Sequence, residues 1–258
     1  MVSCKLKGGL GNQLFQISTT YALARQNNDI DCYNFYNSEL YYQGKKANVY
    51  LDSIYKKIKN KIYDDNHKFE NFYNEPKHSY DPINYKQNLL LDGHFQSEKY
   101  FKEFNNEIIN LFDLDDKKIE CMEFLSKFKK PVTSIHIRRG DYLQFKNVYN
   151  ILDMDYYNRA IDFFPDNHFL VFYYEMDDWL QKNFNSDNFT KVSFKDDILD
   201  LTCMSLCDNN IMSNSTFSWW SSYLNKNKNK IVISPNMWFN SLFYINDQDI
   251  VPNSWIKI

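Results

Sequence analysis

In the second half of the chain, short apolar segments alternate with helix-like ones, and this alternation limits the fold more than any other feature. The segments with strand character are 132–137, 169–174, 210–212 and 231–234. Those with helical character are 154–163, 196–206 and 217–224. The run at 169–174 is nearly all apolar, which is typical of a strand buried on both faces of a parallel sheet. Strands that alternate with helices predict an α/β domain with a parallel sheet.

The first half opens with a cluster of glycines. The chain has 6 glycines, and three of them lie in the segment Gly8-Gly9-Leu10-Gly11. A short apolar segment precedes them, and a helix-like segment at about 12–26 follows. Such a turn lets backbone N–H groups approach an anion at the start of a helix. The opening of the chain is therefore a candidate anion-binding turn.

Polar side chains follow three of the predicted strands. They lie at 138–141, at Glu175 and at 213–216. In open α/β sheets, ligands bind beyond the carboxyl ends of the strands. We therefore expect these three groups to converge on one crevice between two halves of the chain.

The first of these strands ends in His136-Ile137-Arg138-Arg139-Gly140-Asp141-Tyr142. Alternation along a strand places His136 and Arg138 on one face and Arg139 on the other. An arginine binds phosphate oxygens in bidentate fashion, so this segment is a candidate phosphate site. The alternative is a structural ion-pair cluster, for instance between Arg139 and Asp141. The segment alone does not choose between the two.

The segment 213–220 follows a strand and opens a predicted helix. Serine, asparagine and threonine are natural N-caps. Four such residues in a row exceed what one cap needs, and with free N–H groups they would form a seat for a diphosphate. Trp219 and Trp220 are expected to pack in the core rather than to stack on a sugar.

Charge and composition exclude several classes of protein. The net charge is −3, whereas a nucleic-acid-binding surface carries a basic excess, so no nucleic-acid partner is expected. No apolar run typical of a signal peptide follows Met1, and no stretch approaches the ~20 apolar residues of a membrane span. The five cysteines are scattered and suit reduced thiols. These features predict a cytoplasmic location.

No metal site is expected. Cys203 and Cys207 lie four residues apart on a predicted helix, but no second Cys or His pair completes a zinc site. Asp-X-Asp triplets can hold a divalent ion that bridges a nucleotide-sugar diphosphate. The chain is so rich in aspartate that a few are expected by chance, and none clearly ends an apolar strand. The triplets are Asp29/Asp31, Asp113/Asp115, Asp153/Asp155 and Asp247/Asp249.

Several segments, in this order, resemble the α-1,2-fucosyltransferases, glycosyltransferase family 11. The glycine turn continues as Lys7-Gly8-Gly9-Leu10-Gly11-Asn12-Gln13-Leu14-Phe15-Gln16, and segments 92–101 and 252–257 are also similar. Segment 136–142 matches the basic nucleotide-sugar motif of the family, and segments 200–207 and 213–220 match its C-terminal motif. The resemblance covers nearly the whole chain, and the ordered set is far more specific than any single motif.

The resemblance implies an α/β, GT-B-like fold, with two Rossmann-type halves and a cleft between them. Residues 1–130 would form the acceptor-side half, and residues 131–258 the half that binds the GDP-sugar. The implied reaction moves L-fucose from GDP-β-L-fucose to a hydroxyl of a glycan acceptor, with inversion at the anomeric carbon. The linkage would be α-1,2 to galactose or a similar sugar, with no cofactor and no obligatory metal.

The resemblance also implies roles for particular residues. Arg138 would bind the β-phosphate, with His136 beside the nucleotide and Arg139 as a further substrate-binding group. The opposite half would contribute Gly9, Gly11 and Asn12 to the cleft. The phosphates would be held by Ser213, Asn214, Ser215, Thr216, Phe217 and Ser218.

The chain departs from the family in its middle motif. That motif is usually an aromatic residue, then Ser-Asp-Asp, with Trp three residues on. Here it is Tyr173-Tyr174-Glu175-Met176, with Trp179 in place. Glu175 can still accept hydrogen bonds from a guanine or ribose edge, whereas Met176 offers no carboxylate. Asn209 stands where the family often has histidine.

Apart from the resemblance, the residues after the predicted strands suit the chemistry of glycosyl transfer. As the fucosyl–phosphate bond breaks, negative charge grows on the diphosphate, and a fixed arginine and helix-terminal N–H groups can stabilise it. A base must take the proton of the acceptor hydroxyl. Asp141 is the first candidate because it ends the same strand as Arg138, and Glu98 is the second; a structural pair between Asp141 and Arg139 is the alternative. Two other functions stay open, namely transfer of another sugar from a GDP donor and binding of a nucleotide sugar or glycan without turnover.

Overall fold

The computed structural model describes residues 1–29, 34–37, 45–63, 67–243 and 245–258. Within these ranges the chain divides into two compact units. The first comprises Met1–Leu114 and Asn246–Pro252, and the second comprises Asp115–Ile245 and Asn253–Ile258. Within the described ranges, no helix is both long and apolar enough to cross a membrane.

The first unit contains a five-stranded parallel sheet with the spatial order β3-β2-β1-β5-β4. Its strands are β1 (Val2–Leu6), β2 (Asn34–Asn37), β3 (Ile62–Tyr63), β4 (Asn71–Asn74) and β5 (Leu89–Asp92). Its α-helices are α1 (Leu10–Gln26) and α2 (Asn105–Leu111), and its 3₁₀ turns are Ala47–Tyr50, Lys59–Lys61, Glu98–Tyr100 and Lys102–Phe104. Helix α1 is buried along almost its whole length, so its Ser18 and Thr20 hydroxyls donate to carbonyls one turn back.

The second unit contains a six-stranded parallel sheet with the order β11-β10-β9-β6-β7-β8. Its strands are β6 (Val132–Ile137), β7 (His168–Tyr173), β8 (Phe189–Val192), β9 (Asn209–Ile211), β10 (Val232–Ser234) and β11 (Ile256–Lys257). Its α-helices are α3 (Asp115–Leu125), α4 (Gly140–Gln144), α5 (Met154–Ile161), α6 (Asp178–Asn183), α7 (Asp197–Leu206) and α8 (Thr216–Leu224). A short 3₁₀ turn lies at Ser241–Phe243.

Each face of this second sheet packs its own core. In β7, Phe169 and Val171 face one core, whereas Leu170 and Phe172 face the other. All four side chains are buried because helices cover both faces. The apolar run at 169–174 therefore forms a central strand, and the prediction of a parallel α/β sheet is confirmed.

The boundary between the units differs from the predicted one after residue 130. Helix α3 belongs to the second unit because it packs on α7: the Cys121 thiol donates to the Leu199 carbonyl at 3.7 Å. The segment Asn246–Pro252 belongs to the first unit, where Asp249 accepts from the Tyr80 N–H at 3.0 Å.

Some elements were not predicted correctly from periodicity. Residues 98–112 have the apolar periodicity of a single helix, but they form two 3₁₀ turns followed by α2, because the backbone at Phe101 leaves the helical region (φ −144°, ψ 0°). Strand β8 was missed because its burial is partial and Thr190 and Lys191 interrupt its apolar pattern. Four cysteines are free and buried, namely Cys4, Cys121, Cys203 and Cys207, and Cys32 lies outside the described residues.

Candidate functional site

The carboxyl ends of β6 and β9 meet in the second unit through His136. The two strands are neighbours, and the His136 Nδ1 and Ser213 Oγ atoms lie 2.7 Å apart. Both side chains are buried. Burial, helped by the nearby Arg138 cation, lowers the pKa of His136 to about 3. His136 is therefore neutral near pH 7 and acts as a hydrogen-bonding group.

Arg138 lies directly after β6 and is held by three contacts. Its Nη2 donates to Asp141 Oδ2 at 2.6 Å. Its guanidinium lies over the Tyr142 ring, 5.2 Å from the centroid, and over the Tyr174 ring at 5.6 Å. The Arg138 Nε and the Asp141 Oδ1 are buried without a hydrogen-bond partner. The site thus contains a fixed cation with donor capacity to spare, as an anion site requires.

Arg139 has a different environment. Its Nε donates to Asp177 Oδ2 at 2.8 Å, and its guanidinium lies 4.3 Å from the centroid of the Trp179 ring. Asp177 also caps α6 by accepting the Leu180 N–H at 2.7 Å. Arg139 therefore ties the end of β6 to the start of α6.

The hypothesis that Arg139 pairs with Asp141 is wrong. Helix α4 begins at Gly140, which places Asp141 in the first helical turn, three residues after Arg138. Strand alternation directs Arg139 away from that side, toward the connection between β7 and α6. Asp141 consequently pairs with Arg138.

The residues between β9 and α8 form a turn held largely by its own polar groups. Ser215 is the N-cap of α8 and accepts from the Phe217 N–H at 3.3 Å. The Ser218 hydroxyl lies within reach of the Ser213 and Ser215 carbonyls, at 3.2 and 3.1 Å. These hydroxyls serve the local fold, so an anion at this turn would depend on backbone N–H groups and on half-buried Thr216.

Asn214 joins this turn to two distant loops. Its buried Nδ2 donates to the Asn150 carbonyl at 2.8 Å and to the Trp238 carbonyl at 2.7 Å. The Tyr142 hydroxyl in turn donates to the Asn214 carbonyl at 3.1 Å. Helix α4, beside Arg138, and the turn before α8 are therefore coupled directly.

Glu175 lies at the third strand end, beside the same helix start. It is exposed, and a Cβ atom added to Gly140 would lie 3.3 Å from its Oε2. The structure therefore brings the ends of β6, β7 and β9 together, as the order of the strands predicts. Met176 is exposed next to it.

The glycine turn of the first unit is built around α1. Gly8 has φ +77°, and a Cβ there would lie 2.5 Å from Asn12 Nδ2. Gly9 precedes the helix and its carbonyl accepts from the Asn12 N–H at 3.0 Å, while Gly11 is buried. Asn12 Oδ1 accepts from Gln96 Nε2 at 2.9 Å, which joins two of the family-like segments. Their placement in a cleft stays a prediction.

The aspartates of the Asp-X-Asp triplets have structural partners. Asp153 caps α5, Asp155 pairs with Arg159 at 3.0 Å, and Asp249 pairs with Lys99 at 2.5 Å. Asp31 lies outside the described residues. In the part of the chain that the structure describes, no three His, Cys, Asp or Glu side chains form a group that could hold a metal ion.

Sequence reasoning missed three contributors to the site, namely Asp177, Tyr142 and Tyr174. Asp177 offers a weak signal because it precedes a short helix, as N-caps do. The two tyrosines belong to an aromatic-rich composition that hides such positions. Their contacts with Arg138 depend on the path of the chain after β6 and β7.

Two α/β units, each with a parallel sheet, and a basic site at the strand ends of the second are typical of GT-B-like proteins. The family model described as glycosyl transferase family 11 matches residues 1–258. The chain belongs to this family and is an α-1,2-fucosyltransferase-like glycosyltransferase.

Several named proteins are similar to the chain in sequence. It is 28% identical to the O-antigen biosynthesis glycosyltransferase WbnK of Escherichia coli, over 100% of both chains. It is 26% identical to an alpha-1,2-colitosyltransferase of Escherichia coli, over 100% of this chain and 99% of the relative. It is 27% identical to galactoside alpha-(1,2)-fucosyltransferase 2 of Pongo pygmaeus, over 84% of this chain and 67% of the relative.

Solved structures show the same fold. The chain resembles NodZ, an alpha-1,6-fucosyltransferase whose crystal was soaked with GDP-fucose, with a TM-score of 0.50 and 11% identity. The match covers 86% of this chain and 92% of NodZ. A second structure, of fucosyltransferase NodZ from Bradyrhizobium, matches with the same TM-score over 85% and 92%. The predicted GT-B-like fold class is confirmed.

Proposed function

We propose that this glycosyltransferase moves L-fucose from GDP-β-L-fucose to a hydroxyl of a glycan acceptor, inverts the anomeric carbon and forms an α-1,2 linkage to galactose or a similar sugar. The observation that carries the proposal is the Arg138 site, a fixed cation at the strand ends of the second unit with unused donor capacity. The name of the Pongo pygmaeus relative supports the linkage and the acceptor sugar.

In this proposal the leaving diphosphate is stabilised by Arg138 and by the N–H groups at the start of α8. Both are held in place before the reaction, so they meet the growing charge with little reorganisation. Helix α8 has nine residues, and its positive dipole end adds to the effect. Transfer is therefore expected to need no metal and no cofactor.

We assign the base to Asp141, with Glu98 as the second candidate. Asp141 orients Arg138 through Oδ2, and its buried, unpartnered Oδ1 is the oxygen left to take a proton. For Glu98, burial raises the pKa of the carboxyl, although Lys102 and Lys99 oppose the rise.

Asp141→Asn is expected to abolish transfer, whereas Glu98→Gln is expected to retain it. The measurement is kcat for each variant from pH 5 to 9. The reverse pattern would assign the base to Glu98.

The donor is expected to be a guanine nucleotide. GDP and GDP-fucose should bind in the micromolar to millimolar range, and UDP much more weakly, because Glu175 can accept hydrogen bonds from a guanine edge. Titration calorimetry with GDP, GDP-fucose and UDP measures this preference. Equal affinity for UDP would contradict it.

Transfer is expected to proceed without a metal ion. An assay with and without EDTA tests this, and activity lost in EDTA and restored by one metal would contradict metal independence.

A second candidate is transfer of another sugar from a GDP donor. The full-length similarity to an alpha-1,2-colitosyltransferase favours this candidate. Competition between GDP-fucose and GDP-colitose, followed by mass analysis of the product, distinguishes the two sugars. A screen of glycan acceptors with linkage analysis then identifies the hydroxyl that is modified.

A further inference from the structure

Tyr174 is the first residue after β7, and its side chain is 72% exposed. Its ring nevertheless lies against the candidate site at two points. The Arg138 guanidinium carbon is 5.6 Å from the ring centroid, and a Cβ on Gly140 would lie 3.9 Å from the Tyr174 Cδ1. A distance of 3.9 Å is ordinary van der Waals contact, so the ring packs beside the first residue of α4.

The other ring at Arg138 is held rigidly. Tyr142 is buried, its hydroxyl bonds to the Asn214 carbonyl, and its ring stacks on Tyr149 at 3.9 Å with a 7° angle between the planes. Tyr174 reaches the same guanidinium from a different strand. Arg138 therefore contacts two rings: Tyr142, which lies in the helix that follows Arg138, and Tyr174, which lies at the end of β7.

Ring contacts hold an arginine in a way that suits anion binding. An aromatic face attracts the guanidinium through its quadrupole, whereas the N–H donors lie along the edge of the guanidinium plane. A ring can thus restrict the orientation of the plane and leave edge donors for phosphate oxygens. The Asp141 bond occupies Nη2, and Nε is buried without a protein partner.

We propose that Tyr174 is a positioning residue that orients Arg138 toward the leaving diphosphate. The proposal rests on the proposed function, because it assumes that Arg138 meets charge that develops during transfer. An arginine that must first be oriented stabilises that charge less than one already in place. Tyr174 should therefore act on kcat, through Arg138, and not through its hydroxyl.

The test compares Tyr174→Leu, which removes the ring but keeps an apolar side chain, with Tyr174→Phe, which keeps the ring. Tyr174→Leu should lower kcat for transfer from GDP-fucose about three- to tenfold, with KM changed less than about twofold. Tyr174→Phe should retain wild-type kcat. Phe163→Leu, which changes another exposed ring in the same unit, is the control and should leave both constants unchanged.

A double-mutant cycle shows whether the effect passes through Arg138. In an Arg138→Ala background, Tyr174→Leu should lower kcat no further. An equal loss in both backgrounds, or a Tyr174→Phe variant as impaired as Tyr174→Leu, would overturn the proposal. GMP binding weakened by Tyr174→Leu in both backgrounds would also overturn it, because the ring would then stack on the nucleobase.

Failure of the proposed function gives a different result. If the wild-type protein transfers no fucose, the donor assignment fails, and calorimetry with GDP alone still tests Tyr174. The β-phosphate of free GDP carries the charge that develops only during transfer from GDP-fucose, so GDP should bind about threefold more weakly to Tyr174→Leu than to Tyr174→Phe, and equally to both in the Arg138→Ala background. Equal GDP affinity in the presence of Arg138 would reject the positioning role.

Discussion

Arg138→Ala is expected to lower turnover by at least about a hundredfold while the protein stays folded. Loss of one preorganised donor to a developing anion costs ~3–4 kcal/mol, or ~10²–10³ in rate. Arg138→Lys should also fail largely, because an ammonium has no bidentate fork and no planar face to lie over the two tyrosine rings. Steady-state kinetics with GDP-fucose, together with a thermal unfolding curve for each variant, measures both effects.

Two other arginines are the controls for this prediction. Arg139→Ala removes the ion pair with Asp177 and the contact with Trp179, so it should lower the melting temperature more than Arg138→Ala does. Arg159→Ala removes only an exposed pair with Asp155 and should change neither turnover nor stability. Near wild-type turnover in a folded Arg138→Ala protein would contradict the role of Arg138 in stabilising the leaving diphosphate. The donor site would then have to involve Arg139.

Trp219→Ala is expected to destabilise the protein by about 3–5 kcal/mol, the usual cost of removing a buried aromatic side chain. Trp219 is fully buried, and its ring lies 4.6 Å from Tyr223, 5.1 Å from Trp220 and 5.3 Å from Trp255. The melting temperature should fall by about 10 °C, as measured by circular dichroism or calorimetry.

An exposed residue of the same unit provides the comparison. Leu242 is 79% exposed, so Leu242→Ala should change the free energy of unfolding by no more than about 0.5 kcal/mol. If Trp219→Ala instead kept its melting temperature and lost only glycan binding, Trp219 would be a sugar platform. Its complete burial is the reason to expect the opposite.

Local pattern was enough to predict the α/β class. Burial on both faces leaves a continuous apolar run in β7, and the hydrophobic period of the flanking helices is set within a few residues. The meeting of His136 with Ser213 was also predictable, because parallel neighbours place their carboxyl ends at one edge of the sheet. The 3₁₀ turns at 98–104 were not predictable, because the apolar periodicity of this segment resembles that of a helix.

What the sequence determined by itself is that charged side chains follow β6, where they form a candidate anion site, and what the tertiary structure decided is which charges pair. Two arginines and a carboxylate after β6 indicate an anion site by their residue types alone, whichever distant residues they pair with. Asp177 lies 38 residues from Arg139, and the pairing depends on the direction of each side chain after its strand ends. The same holds for Asp249, which lies 169 residues from Tyr80 yet completes the first unit. Such contacts depend on the packing of distant elements, which local pattern does not encode.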